Sequence, residues 1–174
     1  MSSTEKKRNI GKKIKLIKKP SLKYIDLFCG IGGFHQVLKS IGCECVLACD
    51  IDKYCREVYK MNYGMELEPD VKKLNPDTMP DFDILCGGFP CQAFSNAGKK
   101  KTFDDDRGLL FDEIIRIVRV KKPRFMFLEN VKHILKVGDG KVIEYILDKL
   151  DKTGYNIQYF KMSPHEYGIP QQRE

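Results

Sequence analysis

Apolar positions along the chain alternate between short unbroken runs and stretches with helical spacing. Tyr24-Ile25-Asp26-Leu27-Phe28 is a short run that predicts a buried strand, and it ends in Cys29-Gly30-Ile31-Gly32-Gly33. Phe34, Val37, Leu38 and Ile41 then recur at helical spacing until Gly42. Cys45-Val46-Leu47-Ala48-Cys49 predicts a second strand, closed by Asp50-Ile51-Asp52 and followed by a helix that reaches Asn62-Tyr63-Gly64. Ile84-Leu85-Cys86 and Phe125-Met126-Phe127-Leu128 are two further strands, separated by a helix through Leu110, Ile114, Ile117 and Val118. A helix over about 141–152 and a strand over 156–162 complete the pattern. Such alternation predicts an α/β fold, a doubly wound and mainly parallel sheet whose ligands bind at the carboxyl ends of the strands.

Composition agrees with one globular unit. The 174 residues are 42% apolar, enough to close a core without disulfides, and no apolar run approaches the roughly 18 residues of a membrane span. Seven cysteines, an odd number, argue for reduced thiols in a cytoplasmic or nuclear protein that is not secreted. The formal charge of +7 is unevenly spread: residues 1–23 carry +8 and the remainder −1. Residues 1–22 are therefore read as a basic, flexible arm ahead of a domain over 23–174. A DNA-steering arm and a localisation signal are equally compatible with that charge.

Three places carry candidate chemistry. The Gly30-x-Gly32-Gly33 turn between strand and helix lets a ligand approach the backbone, and the acid Asp50 at the end of the second strand suits a ribose diol. The spacing differs from GxGxxG, which points away from NAD towards another adenosine ligand, while a packing role for the glycines stays open. Cys91, in Gly87-Gly88-Phe89-Pro90-Cys91-Gln92, follows a strand at the ligand edge and is placed like a nucleophile, although a lone cysteine is more often structural. Glu129, in Leu128-Glu129-Asn130-Val131, ends the next strand and would face the same crevice, or else serve as a cap. Cys43, Cys45 and Cys49 are close in sequence, but their spacing fits no usual zinc pattern and no metal is expected.

Together these stretches resemble the cytosine-5 DNA methyltransferases, nearest the bacterial HhaI-type members. Phe28-Cys29-Gly30-Ile31-Gly32-Gly33 resembles the family's first cofactor motif, Gly88-Phe89-Pro90-Cys91-Gln92 its nucleophile motif and Glu129-Asn130-Val131 its ENV motif. Gln171-Gln172-Arg173-Glu174 resembles the start of QxRxR, and the likeness runs from Tyr24 to Glu174. The resemblance implies the Rossmann-like sheet of S-adenosylmethionine-dependent methyltransferases, incomplete at its carboxyl-terminal end, with the target-recognition region absent. It implies Cys91, Glu129 and Arg173 as catalytic residues. It places Phe28, Gly30, Ile31, Gly32, Gly33, Asp50, Ile51, Asp70, Val71, Gly88 and Leu110 around S-adenosyl-L-methionine.

The implied activity is methyl transfer to C5 of a flipped cytosine in double-stranded DNA through a Cys91 adduct, as in restriction-modification enzymes. The chain is then either a fragment or one subunit of a split enzyme whose second polypeptide carries the missing motifs, and no membrane is involved. An RNA cytosine methyltransferase and a silent cofactor- or DNA-binding paralogue are the alternatives. Two positions depart from the family pattern: the ribose acid is Asp rather than Glu, and Ile51 stands where relatives often have tryptophan. The glycine-bounded, charged stretch over 98–108 resembles the family's catalytic loop, with three lysines suited to phosphates.

Overall fold

The computed structural model describes residues 21–90 and 110–171. Four parallel strands form one sheet in the order β2-β1-β3-β4: β1 is Lys23–Leu27, β2 Glu44–Cys49, β3 Ile84–Gly87 and β4 Phe125–Leu128. Parallel pairing brings Leu27 beside Cys49 and Gly87, and Gly87 beside Leu128, so all four strands end along one edge. β1 is central and alternates its side chains between the two faces. Tyr24 packs with Leu38, Ile84 and Cys86 on one face, whereas Ile25 and Leu27 enter the main core with Leu85 on the other.

The helices divide between those faces as a doubly wound fold requires. Helices α1 (Gly33–Ser40) and α2 (Lys53–Tyr63) contribute Leu38 and Tyr59 to the first face. Helix α3 (Leu110–Lys121) buries Phe111, Ile114, Ile115, Ile117 and Val118, and α4 (Lys141–Asp151) buries Val142, Ile146 and Leu150, all in the main core. The buried positions of α3 follow the period of one helical face. Asp52 caps α2 by accepting the amides of Tyr54 and Cys55 at 2.7 and 3.0 Å, and Gly64 ends it at φ 69°.

Three features depart from the sequence reading. β1 stops at Leu27 because Phe28 takes φ 56°, which an extended strand excludes. Residues 156–162 form no strand, and Tyr159, Phe160 and Met162 are exposed. Apolar alternation makes a segment compatible with a strand, but a neighbour must supply the hydrogen bonds. Finally, Glu68 makes a parallel bridge to Cys49: its amide donates to Ala48 and its carbonyl accepts from Asp50, which extends the sheet beyond β2. Residues 1–20 of the predicted basic arm lie outside the described residues.

Asp26 is the anomaly of the core. It sits in the middle of β1, fully buried, and neither carboxyl oxygen is within hydrogen-bonding geometry of a partner among the described residues. Burial, and then the Asp50 carboxylate, push its pKa up to about 7, against the opposing backbone amide of His35. Because this value lies above the ordinary 3.8, the folded state holds the proton more tightly than the unfolded chain. Stability is therefore full below pH 4, declines as pH rises to about 7, and is level above. Asp26→Asn is expected to gain up to about 4 kcal/mol over wild type at pH 8. The gain shrinks towards pH 4 in thermal unfolding followed by circular dichroism; one that grows on acidification contradicts this account.

Candidate functional site

The chain between β1 and α1 is a turn with three residues at positive φ: Phe28 at 56°, Gly30 at 53° and Gly32 at 96°. It is tied to β2 because the Cys29 amide donates to the Cys49 carbonyl at 3.2 Å. Asp50, just beyond β2, closes the turn from the other side. Its Oδ2 accepts the Gly30 amide at 2.7 Å and its Oδ1 accepts the Asp52 amide at 2.9 Å. Each oxygen retains a lone pair for a further donor. A β-carbon at Gly30 or Gly33 would meet open space, so the outer side of the turn is free for a ligand. Ile31 and Ile51, which follow the two hydrogen-bonded residues, expose apolar surface at 63% and 79%.

The two remaining cofactor candidates on this side are less open. Asp70 spends one oxygen capping the short 3-10 turn Val71–Lys73, accepting the Lys72 amide at 3.0 Å. The Val71 side chain is buried in the main core, and its carbonyl accepts from Arg116 of α3 at 3.2 Å. Asp50, Asp70 and Glu68 surround Cys49, and with burial as the largest cause they raise its thiol to about 12. Burial likewise raises Cys29, Cys45, Cys55 and Cys86. These five thiols are protonated near neutral pH and are poor nucleophiles.

On the other side of β1, the end of β3 meets the end of β4. The Glu129 amide donates to the Gly87 carbonyl at 3.0 Å, and the Asn130 side-chain amide donates to the Phe89 carbonyl at 2.6 Å. Phe89 is buried against Phe111, with ring centroids 5.2 Å apart. The Glu129 carboxylate comes within 3.3 Å of the place a β-carbon on Gly88 would occupy, and the Phe28 carbonyl lies 4.0 Å from the same point. Only a residue without a side chain leaves this approach open. Phe28, Gly88 and Glu129 thus converge at the ends of β1, β3 and β4. Leu110, the first residue of α3, is half-buried against the main core.

Cys91, Gln92, the charged stretch over 98–108 and Arg173 lie outside the described residues. The described chain runs as far as Pro90, and the Asn130 tether holds it at the Phe89 carbonyl, two residues before Cys91 in the sequence. Sequence reasoning had missed that tether; the signal for it was the amide residue next to Glu129. It had also missed Tyr63, whose hydroxyl donates to the Gly32 carbonyl at 3.1 Å. Among the described residues no group of three His, Cys, Asp or Glu side chains is placed to hold a metal, and no described helix is long and apolar enough to cross a membrane.

The geometry separates two neighbouring glycines. A β-carbon at Gly32 would stand 2.3 Å from Cε2 of Tyr63, at a φ that L side chains rarely adopt. Gly32→Ala is therefore expected to lose about 2–4 kcal/mol in urea unfolding, from strain and displacement of Tyr63. Gly33→Ala, at the start of α1 with open space around it, is expected to be neutral or to gain up to about 1 kcal/mol. Equal effects at the two positions would contradict the crowding.

Comparison with known proteins places this edge in context. The family model for C-5 cytosine-specific DNA methylase matches residues 22–174. Type II methyltransferase M.HhaI of Haemophilus parahaemolyticus is 48% identical over 153 residues, covering 88% of this chain and 47% of that protein. Type II methyltransferase M1.ScrFI of Lactococcus lactis subsp. cremoris is 45% identical over 156 residues, covering 87% and 39%. Among solved structures, the S. pombe Dnmt2 methyltransferase superposes with a TM-score of 0.70 at 26% identity, over 87% of this chain and 48% of that one. The chain thus spans less than half the length of these relatives. Its sheet is that of the S-adenosylmethionine-dependent methyltransferases, and the chain belongs to the C-5 cytosine-specific DNA methylase family.

Proposed function

We propose that this chain carries the catalytic and cofactor-binding part of an enzyme that methylates C5 of cytosine in DNA. The observation that carries the reading is the convergence of two sets of groups at one sheet edge. The Gly30 turn with Asp50 stands on one side of β1, and Gly88 with Glu129 on the other.

The residues at the first set fit S-adenosyl-L-methionine. Gly30 and Gly33 present open backbone, Asp50 keeps acceptor capacity for ribose hydroxyls, and exposed Ile31 and Ile51 offer apolar faces to adenine. When bound, this cofactor supplies the methyl group. Phe28, Gly32 and Gly88 complete the methionine side; Asp70, Val71 and Leu110 border the rest.

The protein's own residues then solve a problem of reactivity. C5 of cytosine is a weak nucleophile, so the Cys91 thiolate adds to C6, forming an S–C bond and moving the C5–C6 electron pair to C5. Glu129 gives or shares a proton at ring N3 as that charge develops, and Arg173 holds the base or the carboxylate. After transfer the C5 proton leaves to a base, and the electron pair it leaves behind expels Cys91 from C6. A base inside a duplex is out of reach of the thiol, so the target cytosine must be turned out of the stack. Residues 1–22 act as a basic arm that meets phosphates without reading sequence.

Methyl transfer from labelled S-adenosylmethionine, to cytosine-containing DNA and to RNA, tests the reading. The chain is assayed alone and with the carboxyl-terminal half of a relative. Transfer to RNA alone would reassign the substrate, and no transfer in any combination would overturn the activity. DNA carrying 5-fluorocytosine is expected to trap an adduct on Cys91, and Cys91→Ala to abolish transfer. An adduct mapped by mass spectrometry to another cysteine removes Cys91 from the role. Glu129→Gln keeps the shape but loses the titratable proton, so transfer is expected to fall about 100-fold with little change in cofactor affinity. Wild-type turnover in that variant would take Glu129 out of the mechanism.

A further inference from the structure

The glycine turn is braced from behind by α2. The Gly32 carbonyl accepts two hydrogen bonds, from the Gln36 amide at 3.0 Å inside α1 and from the Tyr63 hydroxyl at 3.1 Å. Both lone pairs of that oxygen are used, so rotating its peptide breaks two bonds rather than one. The Tyr63 ring also fills the space beside Gly32, which a β-carbon there would invade.

Tyr63 is itself fixed. Its ring stacks on His35 with centroids 3.9 Å apart and planes 28° apart, and Lys39 lies over it at 5.8 Å. His35, on α1, is 5% exposed, and its Nδ1 lies 2.6 Å from the Tyr59 hydroxyl. Tyr59, one turn before Tyr63 on α2, is fully buried and meets Tyr63 edge to face at 4.7 Å. Burial, then Lys39, lower the pKa of His35, which keeps the ring neutral inside the stack. Packing alone would need the rings but not the Tyr63 hydroxyl, and the hydroxyl is directed at the carbonyl where the turn passes into α1.

We infer that Tyr63 is a positioning residue for cofactor binding: clamped by His35 and Tyr59, it holds the Gly32 carbonyl and so fixes the positive-φ turn that receives the adenosyl ligand. The inference rests on the S-adenosylmethionine reading above for its ligand, and on the hydrogen bonds alone for the bracing.

The test uses the full chain and S-adenosylhomocysteine as probe. Tyr63→Phe keeps the stack and removes the hydroxyl. It is expected to weaken binding about 5-fold by calorimetry, the worth of one hydrogen bond, and to speed amide exchange at residues 30–33 by a similar factor. Tyr63→Leu removes the stack as well and is expected to weaken binding further. Ile146→Val, in the core under α4, is expected to lower the thermal midpoint while leaving both readouts unchanged. Unchanged affinity and exchange in Tyr63→Phe would overturn the inference, as would an equal affinity loss in Ile146→Val. If the wild-type chain binds no S-adenosylhomocysteine, the cofactor reading and its ligand fail together, and exchange in Tyr63→Phe then decides the bracing on its own.

Discussion

A strand hydrogen-bonded on both edges and covered on both faces has no freedom to shift, and β1 is such a strand. β2 and β3 flank it in parallel register, α1 and α2 cover one face, and the main core covers the other. Where β1 stops, the backbone has to turn sharply within the gap between β2 and β3. That accounts for the three positive-φ residues between 28 and 32 and for the ties from Cys29 to Cys49 and from Gly30 to Asp50. The same parallel register delivers Gly88 and Glu129 to the opposite side of the turn. The site is thus a consequence of where one strand ends, not of any single residue's reach.

Burial sorts the reactive groups. Thiols within the strands and the first turn are raised by desolvation and by the carboxylates around them, so they behave as small apolar side chains. A reactive thiolate has to stand clear of that environment. Cys91, the proposed nucleophile, comes two positions after the buried Phe89 in the sequence and lies outside the described residues. Asp26 shows the cost of the opposite arrangement, a carboxyl whose burial outweighs the nearby His35 amide and holds its proton on.

Much of this was legible in the sequence because period and punctuation carry physical meaning. The apolar spacing of α3 located its buried face, and Gly42 and Gly64 marked where α1 and α2 give way. The order of strand-end motifs at 28–33, 88–92 and 129–131 pointed to one sheet edge, where the structure brings Phe28, Gly88 and Glu129 together. What escaped was tertiary. Phe28 reads as one more strand residue, and nothing local announces its positive φ. Asp26 sits inside an apolar run that hides its isolation. Residues 156–162 have the composition of a strand, but pairing depends on a neighbour. The bonds from Asn130 to Phe89 and from Tyr63 to Gly32 join residues 41 and 31 positions apart, and no local window contains both ends.

Charge divides the labour in the same direction. Residues 1–23 carry a formal +8 and the remainder of the chain −1, so the folded part has little net pull on a polyanion. The carboxyl-end edge of the sheet is locally acidic, with Asp50, Asp52, Glu68, Asp70 and Glu129 at or beside the strand ends. Such an edge favours a ligand with a sulfonium and an ammonium group and disfavours phosphate oxygens. Under the proposed function, the basic segments of the sequence, residues 1–23 and Lys99-Lys100-Lys101, suit the phosphates, and the acidic edge suits a single neutral base. On that reading, turning the base out of the duplex would serve electrostatics as well as access: it would bring the ring to the carboxylate while keeping the phosphates away from it.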